Sequence, residues 1–175
     1  MPPDREDEIE AGGRRIRIRP MWSEDEPNLH VFFAKLSPED VRMRFLQPLK
    51  RLPETLGHRL SHLDPDREMA LVAYDSPDDI LGVRRLSADA AGKTAEFALI
   101  VRTNQQGLGL GHTLMTRVLG FAWWRGIDEV LGDVLAENAK MLDLCRSLGG
   151  EVRQHPGDST LLRVVFRRPS NRSEA

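Results

Sequence analysis

The sequence predicts an α/β fold with a mixed, mostly antiparallel central sheet flanked by helices, and three observations carry that prediction. Apolar runs with strand character recur at "RIRIRP", "EMALVAYD", "ILGVRRLS" and "TAEFALIV". Segments with apolar residues at helical spacing stand before and after them. One strand also runs through a glycine-rich turn, "NQQGLGLGH", into a helix and then a further strand, which makes a β-α-β unit. At 175 residues the chain favours one domain around a sizeable core.

Residues 1–13 are polar and end in Gly12-Gly13, so they read as a mobile lead-in, and residues 169–175 read as a similar tail. The domain itself is expected over 14–168. "RIRIRP" alternates with period two up to Pro20 and forms the first strand. Ser23 and Glu26 have capping-box spacing and open a helix carrying Leu29, Phe32, Phe33 and Leu36. Ser37-Pro38 starts a second helix, since proline suits the first helical position. "RLPETLGHRLSHL" supplies a short third one.

The turn-forming "SPDD" joins "EMALVAYD" and "ILGVRRLS" as a hairpin, and "TAEFALIV" follows. Leu110, Leu114, Val118 and Phe121 recur at helical spacing in a helix that ends near Gly126. "DEVLGDVLA" is the next strand, and "NAKMLDLCRSLGG" is a helix with Met141, Leu144, Cys145 and Leu148 on one face. "EVRQ" and "TLLRVVFRR" close the chain as strands.

Composition excludes several classes. Twenty-five basic and 27 acidic residues leave a net charge of -2, which gives no electrostatic footprint for nucleic acid or an anionic membrane. The arginines of "RRIRIR" read as a solvated strand face. The single cysteine, Cys145, rules out an internal disulfide framework and suits a reducing cytoplasm. No apolar run reaches membrane-spanning length, and the acidic N-terminus lacks the pattern of a signal peptide.

Gly107, Gly109 and Gly111 are costly at a helix start unless the backbone must be bare there. The first helical amides have no intrahelical acceptor, and the helix dipole adds partial positive charge beside them. Glycines would let phosphate oxygens reach those N–H groups. A P-loop would need Lys-Ser or Lys-Thr where this chain has "GHTLM", and a dinucleotide fingerprint counted from Gly107 meets His112 in place of its third glycine. Gln106-Gly107-Leu108-Gly109-Leu110-Gly111 instead spells Q-x-x-G-x-G.

That motif resembles the pyrophosphate-binding signature of the GNAT superfamily of N-acetyltransferases. The preceding strand and the following "ENAKMLDLCRSLGG" segment are similar to the family's elements, and the order matches from Ile16 to Phe166. "RFLQPLKRLP" and "AEFALIV" look most like the bacterial branch that includes protein-lysine acetyltransferases. The resemblance implies that the strands flanking the motif helix splay apart. It also implies acetyl-CoA as co-substrate, with no metal. The pantetheine arm would lie along the backbone of Leu99, Ile100 and Val101, and the amides from Gln106 to His112 would cradle the pyrophosphate. Asn138 would reach toward the same arm, although it also has the makings of a plain helix N-cap.

The implied reaction is direct attack of a neutral amine, from a protein lysine or a small molecule, on the thioester. An alkylammonium has a pKa of ~10.4, so a base must take its proton near neutral pH. Glu96 is the candidate base, acting through water: it is the one charged residue in "AEFALIV" and shares a face with Ala98 and Ile100. A strand amide near Leu99 would stabilise the oxyanion. Many family members carry a tyrosine in the last helix as general acid. Here Cys145 holds that slot, and Tyr74 lies in another strand. A non-catalytic acyl-CoA sensor or regulatory module therefore stands as the competing reading.

Two other features carry less. His58 and His62 are four residues apart with Asp64 and Asp66 nearby, a set that could suggest a metal site, but Arg59 follows His58 where H-E-x-x-H would need a glutamate, and no cysteine is near. The pair reads as a solvated helix face. Of Trp123 and Trp124, one is expected in the core and the other at a homodimer contact.

Overall fold

Eight strands form one sheet in the order β1-β2-β3-β4-β5-β6-β8-β7 in a computed structural model that describes residues 6–76, 78–102, 107 and 109–170. The strands are β1 (Asp7–Ala11), β2 (Arg14–Pro20), β3 (Glu68–Ser76), β4 (Asp79–Ala88), β5 (Thr94–Val101), β6 (Glu129–Leu135), β7 (Glu151–Gln154) and β8 (Leu161–Arg167). Every pairing is antiparallel except β5 with β6, which are joined by the crossover helix α4 (Leu110–Trp124). The remaining helices are α1 (Glu26–Ala34), α2 (Pro38–Phe45), α3 (Glu54–Ser61) and α5 (Ala139–Ser147).

The sheet has a core on each face. Leu114, Met115, Val118 and Ala122 of α4 pack with Leu142 and Cys145 of α5 against Phe97, Leu99, Val130, Val164 and Phe166. Fully burying a side chain of this size is worth ~1.5–3 kcal/mol, so the α4 stripe is a main anchor of the fold. On the opposite face, Leu29, Phe32 and Phe33 of α1 and Val41 of α2 cover Val72, Ile80 and Val83. Strand alternation divides β5 between them: Phe97 and Leu99 join the α4 core, while Ile100 packs against the α1–α2 core.

Three local expectations change. Asp7–Ala11, read as lead-in, form β1 and pair with β2 from Asp7↔Ile18 to Ala11↔Arg14. Gly12 and Gly13 both have positive φ, 59° and 75°, so they make the two-residue hairpin turn that matches strand twist. Arg19 is buried, not solvated: Nη1 and Nη2 donate to the two carboxylate oxygens of Asp25 at 2.8 and 2.7 Å, and the guanidinium stacks on Trp22. Asp25 also accepts the Trp22 backbone N–H at 2.7 Å. It thereby takes the capping role expected of Ser23 and Glu26, because Arg19 fixes its carboxylate in place.

The other caps follow the sequence. Ser37 accepts from the Asp40 N–H at 3.1 Å to start α2. Gly149, at φ 87°, closes α5, with Gly150 N–H bonded to Cys145 O at 2.8 Å and Gly149 N–H to Arg146 O at 3.0 Å.

Candidate active site

β5 and β6 pair only over Thr94↔Glu129, Ala95↔Val130 and Glu96↔Leu131, although β5 runs on to Val101 and β6 to Leu135. Beyond Glu96 the two strands diverge. Phe97 sits at the fork: a Cβ built on Gly132 of β6 would lie 2.5 Å from its Cζ, so glycine there makes room for the ring. The ring is held edge-on against Phe166, with centroids 6.0 Å apart.

The divergence opens a cleft of about 520 Å³. One side carries the glycine turn and the starts of α4 and α5, through Gly107, Gly109, Gly111, His112, Asn138 and Met141. The other carries Asp40, Arg44 and Leu46 from the α2 region, and Glu96 lines the space between. The cleft therefore joins the two faces of the sheet. Arg42 of α2 forms an ion pair with Glu137, just before α5, and links the two walls. The hydrogen bond from Arg42 holds the Glu137 carboxyl below its usual range.

The glycine turn leaves its backbone bare, though only partly for the expected reason. Gly107 and Gly109 have φ of 84° and 81°, so the left-handed backbone itself calls for glycine. A Cβ at either would meet nothing within 4 Å. Gly109 is the N-cap of α4 and supplies no side-chain acceptor to the first-turn amides. Gly111 is helical, and a Cβ there would make ordinary contacts at 3.6–3.9 Å with Leu144, Leu99 and Val101. Leu99, Ile100 and Val101 line the cleft, whereas the Leu110 side chain is buried in the core. Gln106 and Leu108 lie outside the described residues.

Asn138 does two things at once. Its Oδ1 accepts the Met141 N–H at 3.3 Å, an N-cap, and the residue also lines the cleft. Glu96 is exposed toward the cleft and not buried in its strand. Cys145 is fully buried and does not line the cleft, and burial pushes its thiol up to about 12. It cannot stand in for the tyrosine whose slot it holds. Tyr74 packs in the opposite core, beside Arg19.

Sequence reasoning missed the α2 wall and Asp133 and Val134 of β6. The Arg44 guanidinium stacks over Phe45, with its charge destabilised by burial and by the nearby Arg85, which lowers its pKa to about 10 against the attraction of Glu96. Asp133 accepts from Arg163 Nε at 3.1 Å. No local signal marked these residues, because α2 meets β5, and β6 parts from β5, only through tertiary packing.

The model of the acetyltransferase (GNAT) family matches residues 21–149, a span that includes the glycine turn, the fork and α5. The chain belongs to the GNAT acetyltransferase family. It is similar to acetyltransferase PA5475 of Pseudomonas aeruginosa, 33% identical over 85% of this chain and 81% of that one. The GNAT domain of S. lividans PAT superposes with a TM-score of 0.84, at 26% identity over 93% of this chain and 96% of that one. A Vibrio cholerae spermidine N-acetyltransferase, solved with CoA and spermine, shares the fold at a TM-score of 0.70 and 20% identity, over 87% and 95%. As a GNAT enzyme the chain is an N-acetyltransferase, and the splayed strands that the resemblance implied are present. Among the described residues no helix is long and apolar enough to cross a membrane.

Proposed function

We propose that residues 14–168, extended by β1, form an acyltransferase domain that moves the acetyl group of acetyl-CoA to a primary amine. The observation that carries this reading is the fork: a cleft that opens at Glu96 joins a glycine-lined helix start to the α2 wall. Gly107, Gly109 and the amides of Leu110, Gly111 and His112 receive the pyrophosphate, together with Gln106 and Leu108 of the same Q-x-x-G-x-G motif. The diverging stretch of β5 at Leu99, Ile100 and Val101 offers backbone groups to the pantetheine arm as an added strand would. Asn138 flanks that arm.

Asp40, Glu96 and Asp133 line the cleft beside Arg44 and Lys140, and Glu96 at the fork offers a carboxylate to a cationic acceptor, either a protein lysine or a small-molecule amine. Glu96 takes the ammonium proton, directly or through water, and the neutral nitrogen attacks the thioester carbonyl. A β5 amide near Leu99 donates to the oxyanion. With Cys145 buried, the second proton of the attacking nitrogen passes through water to the departing thiolate, or goes to solvent while the thiolate leaves unprotonated. We further read the enzyme as cytoplasmic, and Trp124, 55% exposed at the end of α4, as a homodimer contact to be checked by sedimentation.

The test is thiol release from acetyl-CoA with peptides, polyamines, aminoglycosides and amino acids as acceptors, repeated with Glu96→Gln. Loss of a general base should cost ~10²–10⁴-fold in turnover. Acetyl-CoA affinity should hardly change, and higher pH should restore part of the rate. A loss under about threefold, far below that range, would reduce Glu96 to a surface carboxylate. Tight acetyl-CoA binding without turnover on any amine would favour the sensor reading.

A further inference from the structure

We propose that Glu26, His58 and His62 bind a divalent transition metal, zinc in the first instance, and so tie α1 to α3 on the outer face of the helical layer. His58 and His62 lie one turn apart at the end of α3, with stacked rings 3.7 Å between centroids and 18° between planes. Asp64 and Asp66, the carboxylates beside them in sequence, do not join the cluster. The fold supplies a third ligand, because α1 crosses α3 closely. A Cβ on Gly57 would lie 2.6 Å from His30 Nε2, so α3 presents a bare backbone to α1 at that point. The crossing brings Glu26, one turn before His30, to the histidine pair: its Oε2 is 3.5 Å from His58 Nδ1.

One ligand atom from each of the three residues lies within 4.8 Å of the others. Tetrahedral bonds of ~2.0–2.1 Å place ligand atoms about 3.4 Å apart, so side-chain rotation alone can close the cluster on an ion. His62 is already oriented for this. Its Nδ1 is 2.8 Å from the His58 carbonyl, and an N–H donated there leaves the Nε2 lone pair for a metal. Two imidazoles and one carboxylate form a borderline donor set that suits zinc over magnesium or calcium, and water would complete the shell. Glu26 is half-buried and both histidines are exposed, so the site has an open path to solvent.

The experiment uses the untagged full chain, stripped with a chelator and titrated with zinc chloride by calorimetry, with magnesium chloride as the control. One zinc per chain is expected, with a rise in melting temperature by mass action. Because all three ligands lie at the surface, His62→Ala and Glu26→Gln should keep the wild-type circular dichroism spectrum. His62→Ala should lose more than the ~10–100-fold in affinity that disturbing even an outer-shell partner costs. Cobalt should give visible bands in the wild type that vanish in both variants. Absence of stoichiometric zinc binding would overturn the proposal. So would binding that survives both substitutions unchanged. Neither result bears on acetyl transfer, which is assayed separately.

Discussion

Replacing Gly132 with alanine tests the fork directly. The ideal Cβ would lie 2.5 Å from Phe97 Cζ, 2.9 Å from Cδ1 and nearer still to Cε1. Comfortable carbon contacts are ~3.5–4.0 Å, so the ring must withdraw by about 1 Å. Phe97 is 7% exposed and packed edge-on against Phe166, so the ring can withdraw only by breaking that contact or by pushing into the cleft it lines. Overpacking of this kind costs ~1–3 kcal/mol, and the gain from restricting the unfolded chain returns ~0.4–1 kcal/mol. A net loss of ~1–2 kcal/mol is expected, or ~2–8 °C in melting temperature for a chain of this size. Urea denaturation of Gly132→Ala, Phe97→Leu and the double variant measures it. Phe97→Leu should cost less in the Gly132→Ala background than alone, with a coupling of ~0.5–3 kcal/mol. A Gly132→Ala protein as stable as wild type, or two costs that simply add, would refute the seating of Phe97 at the fork.

Three further outcomes follow from the same geometry. Gly111→Ala has room for its methyl group and gains up to ~1 kcal/mol of helix propensity, so it should fold normally yet weaken acetyl-CoA binding by calorimetry; unchanged affinity would move the pyrophosphate elsewhere. Leu46, at φ 61°, is a left-handed leucine on the cleft rim, so Leu46→Gly should raise stability by up to ~1 kcal/mol in denaturant while altering acceptor KM. Burial holds the Cys145 thiol neutral up to about 12, against an ordinary value of 9.0. The unfolded chain therefore loses its proton first as pH rises, and the thiol's contribution to stability, fully present below pH 9, should fall away between about pH 9 and 12. Reaction with a thiol reagent only on unfolding would agree with this, whereas rapid native labelling at pH 8 would contradict it.

The elements from β2 to β8 were legible because each carries its own period, and the α4 and α5 stripes at Leu114, Val118 and Cys145 are buried as their spacing required. β1 was missed because polarity was weighed above the Gly12-Gly13 turn, although a two-glycine turn is itself a hairpin signal. Arg19 was misread because both faces of β2 are covered at that point, and period two cannot report on the second layer.

The same division runs through the site. Chain order alone set the glycine turn after β5, the start of α4, Asn138 at the head of α5 and Glu96 on an apolar strand, since these depend on neighbours within a few residues. Only the tertiary structure decided that β5 and β6 part after Glu96, that α2 brings Asp40, Arg44 and Leu46 to the opening, and that Cys145 turns into the core. It also decided that Glu26 meets His58 and His62. Those outcomes depend on packing between elements far apart in sequence, where a ring over a glycine or a close helix crossing selects one arrangement, and no local spacing encodes that contact.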